Sequence, residues 1–253
     1  MSLKNKSIVV TGGSRGLGLG LVEALVERGA KVTVVARDRP TLASVEQRLG
    51  IATIAADITD AVAAKRIMAE THPEVLVLNA GARPRMGRID EISWADFAAP
   101  WETDVKGGLY WMQAALNLPL APGARVIVGS SGAALLGSPL SGGYAGAKRM
   151  LWFMARYADG LAKQRNLGIR FQAVVPMQIV GGTGVGDVAL SAYAQASGTD
   201  SNAVLASFGA PLSPRRFGDH VVTILEDPRY ARGLAFGLKG DTGITILDEG
   251  EPV

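Results

Sequence analysis

The sequence predicts one α/β domain built on an open, mostly parallel sheet with helices on its faces. Three observations predict it. Short β-branched runs alternate with helix-period segments along most of the chain, the pattern of strand–helix–strand units. The first apolar run is followed directly by a glycine-rich turn that opens a helix. A later run, R-V-I-V-G-S-S at 125–131, is apolar without alternation, as a strand buried on both faces is. With 253 residues, 48% of them hydrophobic, the chain is long enough for one well-buried core and short for two. No internal repeat, low-complexity tract or linker divides it, so 1–253 reads as a single domain.

In chain order, Ser7–Thr11 reads as the first strand and 16–28 as a helix with Leu17, Leu21, Ala24 and Leu25 on its buried face, stopped by Gly29. Between them, Gly12, Gly13, Gly16 and Gly18 suit backbone N–H groups meeting a pyrophosphate at a helix N-terminus, although glycines also serve ordinary tight turns. Lys31–Ala36 is the second strand, whose end faces the adenosine ribose of a dinucleotide in such folds; Ala36 and then Arg37 stand there. A guanidinium suits a 2′-phosphate; alternatively Arg37 is a solvated loop charge and Asp38 takes the ribose. Residues 51–55 form a third strand and Val75–Leu78 a fourth. Arg83, Pro84, Arg85 and Met86 follow on a loop, with Asp90 and Glu91 near enough to offset the arginines.

Residues 93–118 read as a long helical region carrying Trp94, Phe97, Trp101, Leu109 and Trp111. After the strand closing at Ser131, the 132–143 loop offers Leu135, Leu136 and Leu140 as an apolar pocket wall, which suggests a neutral or cyclic substrate. A helix then carries Tyr144, Lys148, Trp152, Phe153, Tyr157 and Leu161. Trp111 and Trp152 suit either the core or a contact between subunits. Residues 168–175 form another buried strand, 182–214 a Gly/Ala/Ser-rich segment with a weak helical pattern through Val188, Tyr193 and Val204, of the kind that serves as a lid, Pro214–Glu226 a closing helix and 243–247 a last strand. Met177, Gln178, Tyr193 and Phe208 are candidates for the substrate wall or for ordinary packing.

Tyr144 and Lys148 stand one helical turn apart on one face. A free phenol titrates near ~10, so proton exchange at neutral pH requires lowering its pKa by about three units, or roughly 4 kcal/mol. One cation about 4 Å away supplies ~1 kcal/mol in bulk water but ~4 kcal/mol at an effective dielectric near 20, so a single lysine in a partly desolvated cleft suffices. Alone, the pair serves equally as an i,i+4 contact on a helix surface.

Together, T-G-G-S-R-G-L-G at the first turn, N-A-G after the fourth strand, Ser131, Tyr144 and Lys148 resemble the short-chain dehydrogenase/reductase family, from Lys6 to about Gly250. The resemblance implies a doubly wound Rossmann-type domain that moves hydride between NADP(H) and a carbonyl/alcohol pair, most simply in ketone or aldehyde reduction. It makes Tyr144 the proton donor and acceptor, Ser131 the holder of the substrate oxygen, and Lys148 the group that binds the nicotinamide ribose and acidifies Tyr144. For the cofactor it implies Gly12, Ser14, Arg15, Gly16, Leu17 and Gly18 at the phosphates, with Arg15 and Arg37 on the 2′-phosphate. Asp57 and Ile58 would touch the adenine, Asn79, Ala80 and Gly81 would pass beside the cofactor, and Pro176 and Ile179 would meet the nicotinamide. Bland readings stand beside these: Asp57, or Thr59 and Asp60, caps the next helix.

The sequence departs from the family pattern at three places. Asp104, in T-D-V-K-G-G, stands where an asparagine supports a helix kink and a water leading to the catalytic lysine; it keeps an acceptor but loses the NH₂ donor. Met177 replaces a glycine and Gly181 a threonine, with Thr183 available as a substitute hydroxyl. D-E-G at 248–250 stands for a D-G-G. These departures keep open a rival role as a non-catalytic NADP-binding sensor or scaffold.

The absence of cysteine excludes disulfides and thiolate catalysis, and two isolated histidines, His72 and His220, make no metal site. No run approaches the ~20 apolar residues of a membrane span and the start is unlike a signal peptide, so a cytoplasmic protein with no membrane partner is expected. A net charge of +3, scattered without aromatic interleaving, argues against nucleic acid. The partner is then a small carbonyl or alcohol, and the resemblance implies a homodimer or homotetramer.

Overall fold

The structure, a computed structural model, describes residues 2–118 and 120–249. Its strands are β1 (Ser7–Thr11), β2 (Lys31–Ala36), β3 (Ala52–Ala55), β4 (Val75–Leu78), β5 (Arg125–Gly129), β6 (Arg170–Pro176), β7 (Ala235–Lys239) and β8 (Gly243–Asp248). They form one sheet in the order β3-β2-β1-β4-β5-β6-β7-β8. β1 to β7 run parallel and β8 returns antiparallel along β7. The chain therefore starts in the middle, winds outward to β3, and crosses back to start again at β4. At that reversal the connections leave β1 and β4 in opposite directions, opening a crevice at the carboxyl ends of the strands.

Alternation along the strands divides the core in two. Val9, Val35, Leu76 and Val126 face α3 (Ala61–Thr71), α5 (Lys106–Asn117) and α7 (Gly142–Gln164). Ile8, Val10, Val34 and Val77 face α1 (Gly16–Glu27), α2 (Arg39–Leu49) and α10 (Pro214–Glu226). α1 and α10 approach closely because glycines meet at their crossing: a Cβ on Gly20 would lie 2.2 Å from the Pro214 carbonyl oxygen, and one on Gly218 2.4 Å from that of Gly20. Among the described residues no helix is long and apolar enough to cross a membrane.

Three elements differ from the sequence reading. The 93–118 region is α4 (Trp94–Pro100), a π-helical turn (Trp101–Val105) and α5; Pro100, lacking an N–H, removes one helix donor just before the wider turn. The 132–143 loop contains a short α6 (Ala133–Leu136), whereas the helical pattern of 182–214 is present as expected in α8 (Gly184–Ser197) and α9 (Ser201–Ala206). β7 was not anticipated, and Gly250 of the D-E-G run lies outside the described residues. Trp111 and Trp152 are buried in the core, while Leu109 of α5 and Phe153, Tyr157 and Leu161 of α7 are exposed.

Candidate active site

The first turn is shaped by backbone that tolerates no side chains. Gly12 (φ 68°) and Gly16 (φ 55°) adopt left-handed conformations. A Cβ on Gly12 would lie 2.7 Å from Ala80 Cα. One on Gly18 would lie 2.1 Å from the Gly12 carbonyl oxygen and 2.6 Å from Asn79 Nδ2. Gly18 therefore packs the helix onto the turn, while Gly12, Ser14, Arg15, Gly16 and Leu17 line a cavity of about 660 Å³ at the carboxyl ends of the strands. Thr11 Oγ1 accepts from the Asn79 and Ala80 N–H groups (3.1 and 3.3 Å), which draws Asn79, Ala80 and Gly81 into the same wall.

At the β2 end, Ala36, Arg37, Asp38 and Thr41 line the cavity beside Arg15. Asp38 caps α2: its carboxylate accepts from the Thr41 hydroxyl and from the Thr41 N–H at 2.9 Å, and the hydroxyl bond leads in holding its pKa below the usual value. Ile58 faces the cavity, but Asp57 does not line it. Asp57 Oδ1 accepts from the Thr59 N–H (2.9 Å) and hydroxyl (2.8 Å), and its other oxygen lies 3.9 Å from Arg37. The cap of α3 is Asp60, whose side chain accepts from the Val62 and Ala63 N–H groups.

At the β5 end, Ser130 Oγ donates to the Lys148 carbonyl at 2.8 Å, tying α7 to the sheet edge. The next residue, Ser131, faces the cavity together with Tyr144 and Lys148, and Lys148 Nζ lies 5.7 Å from the Tyr144 ring centroid. α4 and the π turn can press against α7 because glycines lie opposite: a Cβ on Gly143 would stand 1.9 Å from the Phe97 carbonyl oxygen, and Trp101 Nε1 donates to the Gly143 carbonyl at 3.1 Å. That contact seats Asp104, which is buried behind Lys148 and off the cavity wall. Asp104 Oδ1 accepts from the Ala82 N–H at 2.6 Å, and Oδ2 stands 3.0 Å from Lys148 Nζ. Burial alone pushes the lysine pKa down, but the Asp104 carboxylate and then Tyr144 outweigh it, and the ammonium is held above its ordinary value. Asp104 and Lys148 thus form a direct buried ion pair.

At the other end, Pro176, Met177, Gln178, Ile179 and Thr183 form the wall. Gln178 Nε2 donates to the carbonyls of Phe208 (2.6 Å) and Ala210 (2.8 Å), and its Oε1 accepts from the Gly240 N–H at 2.8 Å. Thr183 Oγ1 donates to the Val180 carbonyl at 2.7 Å and accepts from the Gly186 N–H at 3.1 Å, so the hydroxyl considered as a substitute is used in capping α8. Leu135, Leu136 and Leu140 are not on the wall; the first two point to solvent, because the short α6 turns the loop so that Ala133, Gly137, Ser138 and Ser141 face inward. Tyr193 and Phe208 complete this end, with Arg83 and Met86 at the mouth. Asp90 and Glu91 pair with Arg88 rather than offsetting Arg83 and Arg85; Arg85 stands 3.8 Å from Asp96.

A family model described as short chain dehydrogenase matches residues 6–186. The chain belongs to the short-chain dehydrogenase family. Members are oxidoreductases that bind a nicotinamide cofactor, NAD or NADP, and act on small molecules. The chain is 34% identical over 152 residues to the short chain dehydrogenase/reductase AacuD of Aspergillus aculeatus, covering 56% of this chain and about half, 54%, of that relative. It is 30% identical to the sorbitol dehydrogenase of Cereibacter sphaeroides, over 70% of this chain and 71% of the relative. It is also 30% identical to a 2,5-dichloro-2,5-cyclohexadiene-1,4-diol dehydrogenase of Sphingobium indicum, over 69% and 72%.

Within this short-chain dehydrogenase site, the sequence reading placed Ser131, Tyr144 and Lys148 in one cavity but passed over Ser130, Ser138 and Ser141. The S-S pair at 130–131 was a usable signal for the first. The other two needed the turn of the loop, which no local pattern carries.

Proposed function

We propose that the chain is an NADP(H)-dependent oxidoreductase that reduces a ketone or aldehyde to the alcohol, with 182–214 acting as a lid. The observation that carries this reading is that Ser131, Tyr144 and Lys148 line the same cavity as the bare glycine turn. The residues present fit a dinucleotide: Gly12 and Gly16 leave backbone where a Cβ would crowd or strain the cradle, and Arg15 and Arg37 suit a 2′-phosphate while Asp38 is occupied in its cap. A nicotinamide bound there supplies the hydride for reduction and accepts it in reverse. Ser131 donates to the substrate oxygen and Tyr144 delivers the proton to it. Lys148 holds the ribose hydroxyls and stabilises the charge left on the phenol oxygen, and Asp104 positions Lys148 from behind. Reduction is the favoured direction because NADP usually accompanies it.

The names of relatives support an alcohol/carbonyl pair: they are dehydrogenases of sorbitol, of galactitol and of a cyclohexadiene diol. The exposed apolar face with Leu109, Phe153, Tyr157 and Leu161 supports a homodimer or homotetramer, which light scattering checks. A carbonyl panel read by NADPH absorbance tests the whole reading. Turnover of any member excludes a binding-only role, and Tyr144→Phe is expected to lose at least about a hundredfold in kcat while binding NADPH within a fewfold of the parent. Near-parental turnover in that variant overturns the assignment of Tyr144.

A further inference from the structure

The substrate end carries polar side chains, and most of them are already committed. Gln178 uses both ends of its amide on Phe208, Ala210 and Gly240. The Thr183 hydroxyl is closed into the α8 cap. Ser141 Oγ accepts from the Ser138 N–H at 3.0 Å and donates to the Ser138 carbonyl at 2.9 Å. Ser138 and Tyr193 differ. Their hydroxyls touch each other across the cavity, one from the loop before α7 and one from α8 in the segment read as a lid. Ser138 Oγ also accepts from the Leu140 N–H at 3.3 Å, and no further partner of either hydroxyl is found among the described residues.

Each hydroxyl offers one donor and two acceptor sites. Their mutual bond and the Leu140 contact leave one donor and two acceptor sites for whatever enters. Ser138 is also held in register with the reactive phenol: its N–H is bonded to Ser141 Oγ, and the Ser141 carbonyl accepts the Tyr144 N–H at 3.0 Å. The pair is therefore tied to the turn that starts α7, close in the chain to Tyr144 but separate from Ser131.

We propose that Ser138 and Tyr193 form a second oxygen-binding subsite, so that the substrate is a hydroxylated ketone or diol rather than a plain apolar carbonyl. This rests on the oxidoreductase reading above, in which Ser131 and Tyr144 take the reacting oxygen. The second oxygen then bridges or replaces the Ser138–Tyr193 bond, which already joins the loop before α7 to α8.

The test compares cyclohexanone with 2-hydroxycyclohexanone in NADPH-dependent reduction, for the parent protein and for Ser138→Ala, Ser138→Thr and Tyr193→Phe. The parent is expected to favour the hydroxyketone. In Ser138→Ala and Tyr193→Phe the ratio of kcat/KM for hydroxyketone over plain ketone is expected to fall about tenfold, the size of one lost hydrogen bond in a desolvated site. Ser138→Thr, which keeps a hydroxyl, is expected to retain most of the ratio. Calorimetric titration of 1,2-cyclohexanediol into the Tyr144→Phe protein with NADP reads the subsite without turnover, and adding Tyr193→Phe is expected to weaken its Kd by a similar factor. Equal losses on both ketones would reduce the pair to a latch between loop and helix and overturn the proposal, as would an unchanged ratio together with an unchanged Kd. If no carbonyl is turned over while the diol still binds through Tyr193, the subsite stands and the oxidoreductase reading falls.

Discussion

The two ends of the cavity are built in opposite ways. The end under β1, β2 and β4 is floored by backbone: Gly12, Gly16 and the Asn79–Gly81 stretch line it between the side chains of Arg15, Arg37 and Ile58, and Gly18 beneath them has a neighbouring carbonyl 2.1 Å from where a side chain would begin. The end beyond β5 and β6 is made of side chains on irregular segments, where Gly182 and Gly184 have nothing within 4 Å of a Cβ position. The difference teaches that substitutions at the glycines of the first end act through stability, because backbone cannot give way. At the second end they act through what the cavity accepts. Lys148 and its buried partner Asp104 stand at the junction, coupled to both.

Substitutions order themselves along this contrast. Asp104→Ala carries the largest stability effect, since it leaves the buried Lys148 ammonium without its carboxylate and the part-buried Ala82 N–H without its acceptor; about 3–5 kcal/mol is expected, as denaturant midpoints would show. Gly18→Ala should cost about 1–3 kcal/mol, because the new methyl meets the Gly12 carbonyl oxygen rather than a movable side chain. Its counterpart Gly184→Ala, in open space at the start of α8, should leave the melting temperature unchanged or slightly raised; equal losses at the two glycines would break the comparison. Arg37→Ala is expected to raise KM for NADP about tenfold, leaving KM for NAD nearly unmoved. A preference of the parent protein for NAD would remove the role given to Arg37.

The smallest and most diagnostic effect is a shift with pH. Lys148 is held above its ordinary pKa, with burial opposing and the Asp104 carboxylate and Tyr144 prevailing. A lysine raised in the folded state contributes stability in full below its unfolded value, and that contribution is lost as pH climbs through the folded one. In Asp104→Asn the carboxylate's contribution disappears while burial's downward push remains. Lys148 then loses its proton at lower pH, and the alkaline limb of the kcat/KM profile should move down the pH scale. An alkaline limb that stays in place would uncouple Asp104 from the proton chemistry.

Much of this was legible in the sequence. The spans of β1, β2, β4 and α10 agree with the periodicity, because each combines a clean apolar pattern with a glycine, proline or serine boundary. β7, A-F-G-L-K, escaped notice: its glycine and terminal lysine weaken the strand pattern, and it is held by long-range pairing to β6 and β8, with Gly237 against Met177 and Leu247. Leu135 and Leu136 misled for the converse reason, since an apolar residue at a loop tip carries no mark of whether it faces in or out.

By itself the sequence determined the strand–glycine–helix unit and the placing of Tyr144 one turn from Lys148, because chain geometry links residues that close together without reference to anything else. Only the tertiary structure decided that Asp104 would reach Lys148 directly, that Trp111 and Trp152 would turn into the core, and that Ser138 would meet Tyr193. Those contacts join segments far apart in the chain. They depend on how closely whole elements can approach, which is set at α7 by the missing side chain of Gly143 under Phe97, and no local pattern encodes such an approach.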